Sequence, residues 1–327
     1  MFKASAVRYN ILKFSIWWTD REFPTVDLLN DELGENWLMR YSHPEGLKCP
    51  RRARGTKSAR ILRRNGRSHV SVYRCRHCQQ VYTVYSGTVF QGKHLRPPQV
   101  ILLLRGRCKG EPSAVLVREL GLSRPTVHML RRAIGQNARR LQPDTALEDS
   151  QTQTDGLFVN AGEKGEKHTH PADPARRRGN RRRAHGTYAH DRPPVIGTVG
   201  RHSGRVRLRV VGQRRREVLE GHVCRFTPTE AVVFTDEWQG YEHIVRVHHT
   251  VQHGKREWAR DADADGRREV HVSTCEGLWT RVCHFLRSFR GVHKKYLAEY
   301  VAICEFGINM KRISPAFISG LVKLHHS

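Results

Sequence analysis

The chain has 327 residues, room for two or three modules, and sets 58 Lys and Arg against 31 Asp and Glu for a formal net charge of +27. So large an excess is no accident of surface composition and points to a polyanionic partner, since basic side chains set against phosphates gain affinity by releasing condensed counterions. No apolar run approaches the roughly 18 residues of a spanning helix, the N-terminal stretch has no apolar leader core, and eight cysteines with a single motif-spaced pair argue against a disulfide framework, so the expected compartment is the cytosol, without membrane association.

In chain order, apolar positions Val26, Leu29, Leu33 and Leu38 suit a short amphipathic helix. The next stretch, "HVSVYRCRHCQQVYTVYSGTVF", alternates β-branched and aromatic residues around Cys75 and Cys78, as a strand-and-knuckle zinc ribbon does. Cys49 offers a third thiolate, Arg52 stands where a fourth is expected, and His43, His77, water or nothing completes the set. A site short of one thiolate is expected to hold Zn²⁺ weakly. The remaining cysteines read as small buried apolar residues.

Residues 110–135 read as two short helices joined by Gly121-Leu122-Ser123, with Ser123 as the N-cap of the second. That is a helix-turn-helix pattern, and its second helix would offer Arg124, Thr126 and His128 to a major groove. The alternative is an ordinary helical hairpin within a larger core. A polar, proline-containing stretch near residue 145 marks a boundary.

Beyond it, "TDGLFVNAG" reads as a strand, "PPVIGTVGRHSGRVRLRVVG" as two strands joined by a turn, and "EAVVFTDEWQGY" as a further buried strand. Between the first two lie Arg176, Arg177, Arg178, Arg181, Arg182 and Arg183, a run comfortable only against water or phosphate. Helical patterns follow at 276–289 and 294–308.

Asp155 sits at the start of a strand, Asp236 at the end of another and Glu276 at the start of a helix. Two strand-borne aspartates and a helix-borne glutamate suit a pair of Mg²⁺ or Mn²⁺ ions flanking a scissile phosphate, because these ions prefer hard oxygen ligands. Each residue has a plainer alternative. The aspartates fit strand-ending turns, and Ser273 with Glu276 has the spacing of a capping box.

The stretches "TDGLFVNAGEKGEKH", "DPARRRGNRRRAHGTY", "TDEWQGY", "HGKREWARDADADGRREVHVSTCEGLWT" and "FLRSFRGVHKKYLAEYVAICEF", in that order behind the cysteine region and "YSGTVF", resemble the DDE transposases of bacterial and archaeal insertion sequences. The resembling group has a zinc ribbon before an RNase H-like catalytic domain. The resemblance implies an α/β fold with a mixed sheet flanked by helices, laid out as a ribbon over 20–95, a helix-turn-helix over 96–145 and a catalytic domain over 146–327.

It further implies catalytic, metal-holding Asp155, Asp236 and Glu276. His271 fits the family's His-x-Asn-x-x-Glu-Gly pattern, and Ser273 stands where that pattern has Asn, so position 273 or 276 supplies the third group. Gly156 stands where the family usually has Glu. Arg287, Arg290, Lys294 and Lys295 join the arginine run as expected backbone contacts. The implied partners are terminal-repeat and target DNA and further copies of the chain in a synaptic complex, at the nucleoid. A DNA-binding relic, a repressor of transposition, or a structure-selective nuclease of the same fold would share most of these features.

Overall fold

The computed structural model describes residues 29–167, 186–310 and 312–325. Val26 and the arginines at 176–183 lie outside them.

Helix α1 (Asp31–Ser42) starts where the Asn30 side chain accepts hydrogen bonds from the Glu32 and Leu33 N–H groups, satisfying donors the helix itself cannot. It leads into a three-stranded antiparallel sheet of β1 (Ala59–Arg64), β2 (Ser71–Cys75) and β3 (Val81–Tyr82). Next comes α2 (Pro97–Lys109), on a run to which the sequence reading assigns no element. Its two prolines sit in the first turn, where a missing N–H costs nothing, and Gly110 ends it at φ 80°. Helix α3 (Ser113–Leu120) ends at Gly121 with φ 61°, and α4 (Arg124–Leu141) begins with the Ser123 Oγ accepting from the Thr126 N–H. A left-handed glycine followed at once by a serine cap is what turns the chain between them.

The second sheet has five strands in the order β6-β5-β4-β7-β8. β4 (Gln151–Phe158), β5 (Pro194–Gly200) and β6 (Val206–Val210) form an antiparallel meander, while β7 (Val232–Asp236) and β8 (Val247–Val251) run parallel to β4. Successive side chains on β5 point to opposite faces. Val195 and Val199 join a core with α6 (Ser273–Arg287) and α7 (Leu297–Asn309), and Ile196 joins another with α5 (Arg216–Phe226). A short hairpin, β9 (Ala259–Arg260) with β10 (Val270–His271), precedes α6.

The core of the helical region and that of the five-stranded sheet meet on α7, which contributes residues to both. Leu38, Val70, Phe90 and the apolar faces of α2, α3 and α4 pack in one cluster with Ala302, Ile303 and Phe306 of α7 and with α8 (Pro315–Val322). Asn137 on α4 donates to the Leu321 and Lys323 carbonyls at 2.8 Å. On the sheet side, Glu305 of α7 is fully buried and accepts from the Leu208 N–H at 3.1 Å, Gln142 Nε2 at 2.7 Å and the Arg209 guanidinium at 3.2 Å. A carboxylate so enclosed is tolerable only because it is multiply hydrogen-bonded.

His222 on α5 is buried against Phe226 with no hydrogen-bond partner for its Nε2. Burial, and secondarily Arg209, pushes it from an ordinary 6.5 to about 3. The unfolded chain takes up a proton below 6.5 that the native chain refuses until about 3, so stability is lost as pH falls through that window. This histidine contributes up to about 1.4 kcal/mol per pH unit. A His222→Leu variant is expected to show a shallower fall of its urea midpoint between those pH values, and an unchanged slope would refute the assignment.

Candidate active site

The parallel register of β4 and β7 sets Gln153 opposite Phe234. The pairing stops there, and two residues further along Asp155 and Asp236 lie near enough to interact by charge and to share one guanidinium, that of Arg214, within 4.0 Å of each. Asp155 lies within β4, not at its start as the sequence reading has it; Asp236 is the last residue of β7, as expected.

Asp155 is closely held. Its Oδ1 accepts from the Gly156 N–H at 2.6 Å and its Oδ2 from Trp279 Nε1 at 2.8 Å. Burial first, and then the charge of Asp236, raises its pKa; the indole and N–H donors and Arg214 oppose the rise. Trp279 reaches this carboxylate because α6 lies against Gly197, where an added Cβ would come within 2.6 Å of the indole. The helix start is tied to β4 as well, through the Cys275 N–H to Gln153 Oε1 at 3.1 Å.

Arg214, from the segment between β6 and α5, lies across both aspartates. One guanidinium nitrogen is 3.3 and 3.5 Å from the two oxygens of Asp236, and another is 4.0 Å from Asp155 Oδ1. The side chain is only 7% exposed, stacks near Trp238 and Tyr241, and its Nε has no hydrogen-bond partner.

Glu276 occupies the first turn of α6 and is exposed. The capping-box alternative does not hold: Val272 is the N-cap with no side-chain bond, and Ser273 Oγ instead meets His271 Nδ1 at 2.8 Å. Trp279 lies one turn beyond Glu276 on the same helix face, so that face looks toward Asp155. Asp155, Asp236 and Glu276 are nevertheless not drawn within 4.8 Å of one another; among the described residues only two other groups of metal-donor side chains are.

The first of these is Cys49, Cys75 and Cys78, with the Cys49 and Cys78 sulfurs 3.6 Å apart. The backbone around it is duplicated. The Cys75 N–H donates to Gln80 O, the Gln79 N–H to Cys75 O, and Gln79 has φ 58°. In the first turn the Cys49 N–H donates to Arg54 O, the Ala53 N–H to Cys49 O, and Ala53 has φ 52°. Arg52 thus holds the place that Cys78 holds in the second turn. N–H groups of Cys78 and His77 aimed at the Cys75 sulfur bring its pKa to about 7. Cys78 moves upward, burial and the neighbouring sulfurs outweighing the Gln80 N–H. Among the described residues neither His43 nor His77 joins the three sulfurs in this group; His43 Nε2 meets the Val84 carbonyl at 2.7 Å.

The second group, Asp261, Asp263, Asp265 and Glu269, lies in the β9–β10 loop. Its carboxylates accept N–H groups of Ala262, Ala264, Asp265, Gly266 and Arg267, bonds that shape the loop itself.

On the helix-turn-helix, Arg124 and His128 are exposed and Thr126 is half-buried. The face is partly occupied: the His128 ring lies edge-on 6.2 Å from Tyr296, and the Arg132 guanidinium is 4.0 Å above that ring. Beside it a cavity of about 700 Å³ is rimmed by Arg118, His128 and Arg290 and contains neither aspartate. Arg287, Arg290 and Lys295 are exposed, whereas Lys294 is ion-paired to Glu163 at 2.5 Å and Asp191 at 3.0 Å.

Residues 151–309, the segment that carries both aspartates and Glu276, match the model of the ISXO2-like transposase domain. Over this segment, just under half of the chain, the protein is similar to the insertion-sequence DDE transposases. It is 25% identical over 296 residues, 85% of this chain and 90% of the relative, to an uncharacterized protein in transposable element ISH50 of Halobacterium salinarum. A simian T-cell lymphotropic virus intasome, solved with PP2A regulatory subunit B56 gamma, overlaps 65% of this chain and 69% of its own at 11% identity with a TM-score of 0.28, too slight a likeness to bear on fold or assembly.

Arg214, Trp279 and Gln153 are site residues that the sequence reading passes over. Within the matched segment Trp279 depends on the bare backbone at Gly197. A Gly197→Ala substitution is expected to push the indole off Asp155, cost about 1–3 kcal/mol of stability by overpacking, and shift tryptophan emission. Retained stability and an unmoved spectrum would show that α6 is not seated by this contact.

Proposed function

We propose that the chain is a transposase that binds the terminal repeats of its own element and cleaves and joins DNA strands with divalent ions at Asp155, Asp236 and Glu276. The observation that carries this reading is the pair of aspartates on neighbouring parallel strands, close enough to interact by charge and to share Arg214, inside the segment that matches the transposase family. The mixed sheet with helices on both faces supports an RNase H-like reading of residues 146–327, behind a ribbon over 20–95 and a helix-turn-helix over 96–145.

The donor chemistry fits Mg²⁺ or Mn²⁺, since carboxylate oxygens are what these ions prefer. When bound, such ions neutralise the scissile phosphate and activate a water or a 3′-hydroxyl for in-line attack. Asp155 and Asp236 supply rigid oxygens from the sheet. Trp279 and the Gly156 N–H fix the rotamer of Asp155, so its lone pairs are oriented before substrate arrives. Glu276, or Ser273 in its place, comes from α6 as the outer ligand, with His271 and Gln153 holding that end of the helix to β4.

DNA is engaged by the basic surface: Arg124, Thr126 and His128 on α4, with Arg287, Arg290 and Lys295 along the backbone. Lys294 acts indirectly, pinning the loop through its two carboxylate partners. Further copies of the chain complete the synaptic complex.

On a duplex carrying the element's ends, with Mn²⁺, the wild type is expected to nick and join strands and Asp236→Ala to lose product by about a hundredfold to a thousandfold, the scale of losing a main electrostatic contributor. No product from either protein, with binding to the ends retained, would mean a DNA-binding relic.

Zinc at Cys49, Cys75 and Cys78 is the corresponding reading for the ribbon, and the soft thiolate donors fit it. Because Arg52 sits in a turn equivalent to that of Cys78, an Arg52→Cys variant should retain one zinc through chelator dialysis that strips the wild type, as read by metal analysis. Equal retention by both proteins would show that the fourth thiolate is not what the site lacks.

A further inference from the structure

We propose that Arg214 is a built-in cation that occupies the space between Asp155 and Asp236 and must withdraw before a divalent ion can enter. The inference rests on the metal-ion reading above and adds a competitor for the same oxygens.

Four observations carry it. The guanidinium addresses both oxygens of Asp236, at 3.3 and 3.5 Å, and lies 4.0 Å from Asp155, a bridging position between two like charges. Both Asp155 oxygens already have donors, Gly156 N–H and Trp279 Nε1, so the open side of that carboxylate is the one facing Arg214. The space for the guanidinium exists because residue 156 has no side chain: a Cβ there would lie 3.1 Å from Arg214 Cδ and 3.3 Å from a guanidinium nitrogen. Finally, the side chain is 7% exposed and held near Trp238 and Tyr241, yet its Nε finds no acceptor.

A divalent ion needs these carboxylate oxygens at about 2.1 Å. A guanidinium 3.3 and 3.5 Å from the Asp236 oxygens and 4.0 Å from Asp155 Oδ1 stands where that ion would approach and repels it. The two cations therefore exclude each other, and metal affinity is reduced by the fraction of molecules in which the arginine is in place. Arg214 is a positioning and gating residue. It keeps the apo pair from repelling itself apart and makes the site select for conditions that draw the guanidinium away.

The test is binding of Mn²⁺ to the full chain, followed by electron paramagnetic resonance of the free ion, for wild type, Arg214→Met and Arg214→Lys, each also with Asp236→Asn to subtract sites elsewhere. If Arg214 populates the bridging position in about 90% of molecules or more, Arg214→Met binds the Asp236-dependent ion about tenfold more tightly or better. Its thermal midpoint without metal falls below that of wild type and is restored by Mn²⁺. Arg214→Lys, which keeps the charge and is the safeguard if the methionine variant folds poorly, binds between the two. Equal or weaker binding by both Arg214 variants, with the Asp236-dependent ion still present in wild type, overturns the gate and leaves the metal reading standing. No Asp236-dependent ion in any background overturns both.

Discussion

Two carboxylates on neighbouring parallel strands need positive charge between them, and much of the chemistry around the sheet answers that requirement. The parallel pairing of β4 and β7, which runs to Gln153 and Phe234, brings Asp155 and Asp236 close to each other just beyond it. Asp155 is then disfavoured as an anion by burial and by its neighbour. An indole N–H, a backbone N–H and a guanidinium compensate, and each is delivered by a different element: α6, β4 itself and the segment before α5. The glycines at 156 and 197 are where those deliveries need room, one for the guanidinium and one for the indole.

The helical region is not an appendage to this sheet. Arg107 of α2 is almost fully buried with its guanidinium 4.5 Å from the Tyr300 ring, and Arg131 of α4 lies 5.0 Å from Phe289 while donating to the Glu111 carbonyl and Ser113. Burial brings Arg107 down to about 10, which leaves it charged at neutral pH. Such residues make helix packing against α7 specific: a buried cation is tolerable only where a ring face and carbonyls are in register. The α3–α4 pair is thus packed into the same cluster as α7, which also bears on the sheet.

How far the sequence speaks depends on whether a feature is local. Gly121 and Ser123 define the turn by backbone conformation and capping, and both are legible from residue type alone. The meander of β5 and β6 is equally plain from alternation and its turn. Ser273 and Glu276 mislead for the same reason: the spacing of a capping box is present, but His271 captures the serine hydroxyl, a contact fixed by the β10–α6 junction. Helix α2 is missed because its apolar run ends in alternating basic residues, and only packing against α1, α3 and α7 settles its state. Arg214 stands first in a run of three arginines, and nothing in the run singles it out. Its burial is decided by where α5 begins.

The duplicated turns at Cys49 and Cys75 and the Arg214 bridge are two outcomes of one rule, that backbone geometry and ligand identity are specified separately. In the ribbon the turn around Arg52 keeps the hydrogen bonds and left-handed residue of its twin without the thiolate. In the sheet two aspartates lie together while an arginine side chain supplies the positive charge beside them. The balance of charge separates the two cases. One guanidinium against two carboxylates leaves the pair net negative if both are ionised, within a chain of net charge +27. The arginine therefore weakens the local field without reversing it, and the attraction for a stronger cation persists behind the bridge.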